Sequence, residues 1–473
     1  MSHSPLPPLT QTIAAFVAQT GFDALPPEAT QIAKRCILDG LAVMLAGASE
    51  PCAKIIRSYL QAVGGTPEAL VLGADPLRAP LHLAALANGV AGHALDWDDT
   101  AMSLESDRSV LIHPTMQPLC AVLAVGGQQG ATGAEILAAF VLGFEVQVKI
   151  AEAIDPAHFT GGRGFHSSGT IGVFGAAVAA SKLLRLSEPQ ITHALAIAAT
   201  MSAGLGVNHG TMSKPLNMGR AAETGVTAAR LASLGFDGPK HALEGGRGFF
   251  EAFGGGVDAT KIMGRLGAPW AILVPGTSIK PYPSGVVGHP GMDAMKALVC
   301  AHDIQPAQVE TILVRTGPNV IAPGPLRHLL AKTALEAKFC VAFQMAAMVL
   351  RRKAGLAEFS DDFVASEACQ SLQKRVTAVI DPAIEAMGKD KVVFDITLTT
   401  KDGQTYSQRS AEHYRGGPLN PLSWDEICTK FRDCAGASLT PAAQDRIIDQ
   451  VDRLDRLDTI SDLLEAACAR PSP

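Results

Sequence analysis

Apolar residues recur at helical spacing through most of the first 265 positions. Between Ile32 and Leu45, the residues Ile32, Cys36, Ile37, Leu41, Met44 and Leu45 repeat every three to five places, the stripe of an amphipathic helix. Pro27 and Glu28 suit its first turn. Thr132 and Glu135 form a capping box that opens a long apolar helix through about Ile154, and Ser187 with Gln190 repeats the device before Ile191 to Met201. After about residue 268 the period changes. Val309 to Thr316 is β-branched, and Val392 to Thr399 alternates Val392, Phe394, Ile396 and Leu398 against polar neighbours, the period-two signature of a half-buried strand. Asp402-Gly403 followed by Gln404 to Arg409 predicts a hairpin with a primed turn. Ala334 to Arg352 predicts a helix between these strands. Helical pattern returns with a third capping box, Ser423 to Glu426, and with Pro at the first helical position after Thr440.

These elements predict a mainly α protein. A large all-helical domain takes residues 1–268 and 405–473, and a smaller α+β domain takes 269–404, inserted into it. The terminal helices are expected to pack back onto the N-terminal ones. No fixed-period repeat or flexible linker interrupts the chain.

Composition sharpens this reading. Of 473 residues 47% are hydrophobic but only 5% aromatic, so the core must be built from Ala, Leu, Val and Ile, which suits closely packed helices. The net charge of −6 leaves no basic excess for phosphate backbones, which disfavours a nucleic-acid partner, and none is expected. Nine cysteines without a CxxC pair point to free thiols in a reducing compartment. The opening MSHSPLPPLT lacks a secretory signal, and no run of about 18 apolar residues predicts a membrane span, so a cytoplasmic location is expected.

Four polar, glycine-bearing segments carry the candidate chemistry. His93 to Thr100 (HALDWDDT), followed by His113-Pro114, puts three carboxylates within four residues, where mutual repulsion tunes pKa values unless they are paired. The same residues suit an acidic, capped helix end, or a divalent-metal site, although no HExxH or EF-hand spacing supports a metal. Gly161 to Thr170 holds His166 among glycines, as a general acid or base requires, or as a locally bonded loop histidine. Met212 to Arg220 places Lys214 among apolar residues, where an ammonium needs an anion or must snorkel to the surface. Lys280 to Gly285 (KPYPSG) with His289-Pro290 sits at the expected domain junction, as a small-molecule site or as a rigid hinge. There is no GxSxG elbow, phosphate loop or dinucleotide fingerprint. What remains is a kit for moving protons and holding carboxylates.

On these motifs the sequence resembles the MmgE/PrpD family. The matching segments are HALDWDDT (93–100), His113-Pro114, GFHSSGTIGVFGAA (164–177), MSKPLNMGRAA (212–222), KPYPSGVVGHP (280–290), EAKFCVAF (336–343) and NPLSWDEICTKF (420–431), in the family's order. The resemblance implies a homodimer in which the smaller domain is a lid, and no cofactor or metal. It also implies a small polycarboxylate substrate, handled by making or protonating a carbanion-like centre next to a carboxylate. Carried over by position, it implies Asp96, His113, His166 and Lys214 as catalytic residues, with Thr100, Lys280, Tyr282 and His289 as substrate-binding ones. In this expectation Asp96 and His166 are the leading acid/base pair and the lysines hold substrate carboxylates. Decarboxylase members carry a histidine five residues after the lysine of the fourth motif, where this chain has Gly285. The expected activity is a cofactor-independent lyase of dehydratase type. The alternatives are an epimerase of a substituted dicarboxylate and a non-catalytic dicarboxylate-binding relative.

Overall fold

The computed structural model describes residues 6–73, 75–103, 110–159, 162–322, 324–388 and 391–468. Gly161, the first glycine of the second motif, lies outside the described residues. The chain forms two compact units. One takes the described residues up to Ser103, those from 110 to Thr277 and those from Ser423 onward; the other takes Ser278–Leu422.

The first unit is a stack of buried helices. The main ones are α1 (Pro27–Gly47), α2 (Leu81–Ala94), α3 (Gly133–Ala153), α4 (Gly172–Leu183), α5 (Glu188–Met201) and α6 (Ser213–Ser233). The N-terminus of α3 carries the expected reciprocal box, with Thr132 Oγ1 accepting from the Glu135 N–H at 3.2 Å and Glu135 accepting from the Thr132 N–H at 3.0 Å. Small residues let these helices meet backbone to backbone. A Cβ added to Gly89 of α2 would lie 2.8 Å from the Cα of Gly219 in α6, and one added to Gly219 would lie 2.4 Å from the Leu86 carbonyl oxygen. Gly225 makes a similar approach to Ala176 and Ala177 of α4. The low aromatic content is therefore a packing requirement.

The unit is not all-helical as expected. Two antiparallel hairpins, β1 (Ala69–Val71) with β2 (Leu77–Ala79) and β3 (Ala101–Ser103) with β4 (Val110–Ile112), lie within it. Strands of three residues are too short to show an alternation.

The second unit has a four-stranded sheet in the order β6-β5-β7-β8, comprising β5 (Val309–Thr316), β6 (Val376–Ile380), β7 (Phe394–Thr400) and β8 (Thr405–Arg409). The β5/β6 pair is parallel and the others are antiparallel. Phe394, Ile396 and Leu398 form one face and share a core with Met292, Met295 and Leu298 of α7 (His289–Ala301) and with Phe343, Met345 and Met348 of α8 (Val341–Arg351). β6 is an edge strand that packs Val376 and Ala378 half-buried against this core and leaves Thr377, Val379 and Ile380 exposed.

Three expectations for this unit need correction. The boundary at 405 would cut β8 from the strand it pairs with, and the unit continues to Leu422. The turn is not a primed one. Gly403 (φ 84°) takes the left-handed position of a three-residue loop, with its N–H donating to the Thr400 carbonyl at 2.8 Å and the Thr400 N–H donating to the Gln404 carbonyl at 2.9 Å. The helix expected over 334–352 breaks at 338–340, where the Lys338 carbonyl accepts from Gly285 at 3.0 Å and the Phe339 carbonyl accepts from His328 at 3.2 Å.

The chain then returns to the first unit through α9 (Trp424–Ala435) and α10 (Pro441–Asp452). α9 packs on α1, as expected of the terminal helices. All nine cysteines are free thiols, six of them buried. Among the described residues no single helix is long and apolar enough to cross a membrane.

Candidate active site

The site of the first unit begins where α2 ends. His93 occupies the last turn, and the chain leaves the helix through Asp96, whose φ of 54° is a left-handed conformation that Asp tolerates better than most side chains. This kink lets a short segment bury His93, Asp96, Asp98, Asp99 and Thr100 together, each at most 6% exposed. Because α2 and α6 are pressed together at Gly89 and Gly219, the first turn of α6 arrives beside the same segment. There the Lys214 ammonium donates to Asp96 Oδ1 at 2.5 Å. The helix N-terminus adds partial positive charge to that of the lysine, so the spot favours anions.

The three clustered carboxylates resolve into three different environments. Asp98 faces two imidazoles: both its oxygens lie 2.9 Å from His93 Nδ1, and Oδ2 lies 3.2 Å from His113 Nδ1. Burial would raise its pKa, but His93 and His113 hold it well below the usual carboxylate range. Asp99 turns away, accepting from the Thr115 hydroxyl at 2.8 Å and the Thr277 hydroxyl at 2.7 Å. Burial, opposed by these hydroxyls and reinforced by Asp98 and Asp39, lifts it to about 7. Asp96 is the partner of Lys214.

The histidines follow from the carboxylates. Burial drives His93 down to about 4 against the pull of Asp98, with Lys214 and His113 adding to the depression, so the ring is neutral at pH 7. The acceptors around Nδ1 assign the remaining proton to that nitrogen. Nε2 is then a bare lone pair, and among the described residues this buried atom has no hydrogen-bond partner. His113 Nδ1 donates to the Asp99 carbonyl at 2.8 Å and lies 3.5 Å from Thr100 Oγ1; its ring meets His93 edge-on, with centroids 4.6 Å apart.

His166 precedes the short helix Ser167–Thr170, and its ring centroid lies 6.0 Å from that of His93. Burial, and then the neighbouring His93, Lys214, His209 and His113, hold it well below the usual histidine value. Asn217 Nδ2 sits 3.3 Å from its Nδ1, one turn along α6 from Lys214. Ser168 Oγ accepts from the His113 N–H at 3.0 Å, which ties the two histidine segments together.

The fourth motif lies in the second unit. Lys280 and His289 are buried there, and Ser284 Oγ lies 3.2 Å from His289 Nε2. The Tyr282 hydroxyl donates to Asp293 at 2.6 Å and accepts from Arg415 at 3.2 Å, and its ring meets that of His289 edge-on. Burial and Asp293 raise the phenol above its ordinary pKa. A Cβ at Gly285 would lie 3.2 Å from Leu326 Cδ2, so a larger side chain requires that leucine to yield.

The MmgE/PrpD N-terminal domain matches residues 11–261, and the MmgE/PrpD C-terminal domain matches residues 282–456. The chain belongs to the MmgE/PrpD family. Its curated relatives include a cis-aconitate decarboxylase of Homo sapiens, 28% identical over 448 residues covering 91% of this chain and 89% of the relative. Another, of Mus musculus, is 28% identical over 460 residues, covering 94% and 90%. A cis-aconitate decarboxylase of Aspergillus terreus is 26% identical over 479 residues, covering 97% and 95%.

Within this MmgE/PrpD chain the structure brings Asp96, Thr100, His113, His166 and Lys214 together in the first unit, and places Lys280, Tyr282 and His289 in the second. His93 and Asp98 lie inside the HALDWDDT motif, but neither is among the site residues that the family resemblance implies. The only available signal was their five-residue spacing across a helix end. Ligand atoms of His93, Asp96, Asp98 and His113 lie within 4.8 Å of one another, near enough to hold a cation. In this structure Asp96 Oδ1 meets the Lys214 ammonium, and Asp98 faces two imidazole nitrogens.

Proposed function

We propose that this protein is a cofactor-independent lyase that removes a proton next to a carboxylate of a small di- or tricarboxylate, most simply as a dehydratase. The observation that carries this reading is the bare, buried Nε2 of His93, backed by Asp98, close to the buried Lys214 ammonium. In this reading Lys214 and the N-terminus of α6 hold a substrate carboxylate, and Asp96 orients the ammonium. His93 Nε2 takes the proton from the adjacent carbon, and the electron pair moves into the carboxylate, where fixed positive charge stabilises the enolate-like form. The pair then returns to expel hydroxide from the next carbon. Hydroxide leaves as water with a proton from His166, whose pKa rises once a polyanion lies beside it. His113 relays or orients. Asp96, expected from the sequence to form the leading acid/base pair with His166, is engaged by Lys214, and in this reading His93 takes its place in that pair.

Decarboxylation, the activity in the relatives' name, would draw on related chemistry, since loss of CO2 also leaves a carbanion next to a carboxylate to be protonated. Glycine at 285, where the decarboxylase members in the resemblance carry histidine, weighs against the decarboxylase reading, although the fourth motif does not match the dehydratases' wording either. A second reading, epimerisation, draws support from two neighbouring imidazoles, His93 and His166, one neutral to take a proton and the other protonated beside a bound polyanion to return one.

Incubation with citrate-like, aconitate-like and amino-dicarboxylate compounds in deuterated water, followed by proton NMR, tests the proposal. Alkene formation or hydration supports it. Loss of a carboxyl group would give the decarboxylase reading, and deuterium uptake without net conversion the epimerase one. Binding without any exchange would leave a carboxylate-binding protein. Turnover that requires a stoichiometric metal would overturn the mechanism.

A further inference from the structure

The last motif of the family resemblance, NPLSWDEICTKF, supplies none of the groups discussed so far, yet its lysine is buried. On α9 the inward face is Ile427, Cys428, Lys430, Phe431, Cys434 and Ala435, and Lys430 is only 6% exposed. An ammonium in such a place is costly unless its charge and all its protons are met. Three partners meet this one. The Asp39 carboxylate of α1, itself 2% exposed, lies at 2.6 Å. The Trp97 carbonyl oxygen accepts at 3.0 Å, across 333 positions of sequence. The Trp97 indole presents its face, with Nζ 4.9 Å from the ring centroid.

Trp97 stands between the two carboxylates that organise the site. Asp96 before it holds Lys214, and Asp98 after it holds His93. The bond to its carbonyl restrains the Trp97–Asp98 peptide and the cation over its ring restrains the side chain, while Asp96 before it is in a left-handed conformation. α9 approaches by way of α1, against which it packs. We propose that Lys430 is a positioning residue: acting through Trp97, it sets the placement of the Asp96–Lys214 pair relative to the Asp98–His93 pair. Asp39 neutralises the lysine so that it can do this from a dry interior. The proposal rests on the function proposed above for its kinetic consequence, but its geometric content is independent of it.

The test uses the full-length protein in three forms: Lys430→Met, Lys430→Arg, and the double variant Asp39→Asn with Lys430→Met. Lys430→Met alone leaves Asp39 buried without its cation and is expected to unfold at lower temperature. The double variant removes both charges, so its melting temperature should return toward that of the parent. Its kcat should nevertheless stay about 100-fold down, with KM changed less than about 3-fold, as expected when groups that meet the transition state are displaced by about an ångström. Lys430→Arg, which keeps the charge and the contact with the indole face, should recover at least about a tenth of the parent kcat. A double variant with parental melting temperature and kcat within about 2-fold of the parent would overturn the proposal.

A second readout is needed in case no substrate is turned over. The pH titration of the His93 ring proton, followed by NMR in the parent and in the double variant, should be displaced by about one unit, because its Asp98 partner moves. Superimposable titrations would overturn the positioning role even if the lyase reading stands. Displaced titrations without turnover in the parent would support it while the lyase reading fails.

Discussion

At the scale of single residues, three adjacent-looking aspartates have three different jobs. Asp98 fixes the tautomer of His93, Asp96 pairs with Lys214, and Asp99 accepts from threonine hydroxyls and stays largely structural. Asp98→Asn keeps the shape but lets an amide N–H face Nδ1, which favours the wrong tautomer of His93. Turnover should fall by about 10³-fold or more while the fold persists, as for other carboxylate–histidine pairs; steady-state kinetics beside a far-ultraviolet spectrum checks this. The neutral histidines give a second expectation. His93 and His166 are depressed by burial, and a polyanionic ligand beside them raises their pKa values, so binding takes up protons and weakens as pH rises from about 4, the free value of His93, toward the values the ligand raises them to. Calorimetric titrations in buffers of different ionisation enthalpy would register the uptake; a buffer-independent heat would count against it. The chain pattern announced the carboxylate cluster but not this division of labour, which depends on which partner each side chain meets.

At the scale of elements, caps and periods were legible wherever the signal is local. The Thr132 and Ser423 boxes form as read, and β5 spans the residues its β-branched run marked. The break at 338–340 was not legible, because the carbonyls that leave the helix there do so for donors at 285 and 328. The crossing of α2 and α6 is of the same kind. Gly89 and Gly219 look like helix-weakening residues in sequence, but together they permit the approach that delivers Lys214 to Asp96. Gly219→Val should therefore force the helices apart, costing about 1–3 kcal/mol from overpacking, with a larger relative loss of kcat than of stability. Denaturant unfolding and kinetics on one preparation compare the two. A variant that loses stability alone would break the link between the crossing and the site.

At the scale of the whole molecule, buried ionisable groups shape stability against pH. His93 and His158 are depressed to about 4 and His166 well below its usual value, so the unfolded chain binds more protons at these sites below about pH 6.5, and stability is lost as pH falls. Asp99 and Glu145 are raised to about 7, so the folded chain holds protons that the unfolded one releases, and stability declines as pH rises from about 4 through 7. Three histidines outweigh two acids below the unfolded histidine value, and the acids prevail just above it. Melting temperature should therefore pass through a shallow maximum near pH 6.5. Glu145, fully buried in α3 and accepting from the Gly267 and Ala271 N–H groups, supplies the test. Glu145→Gln should move that maximum to more alkaline pH, and an unmoved maximum would refute the assignment.

The amino-acid sequence by itself determined the helical texture, the inserted strands, the caps and the inventory of carboxylates, imidazoles and lysines, because these follow from side-chain period and composition within a few turns of chain. Only the tertiary structure decided that His93 Nε2 is left without a partner among the described residues, that Lys214 pairs with Asp96, and that a lysine 333 positions away holds Trp97. Those outcomes depend on burial and on partners that the chain brings together only after it has folded.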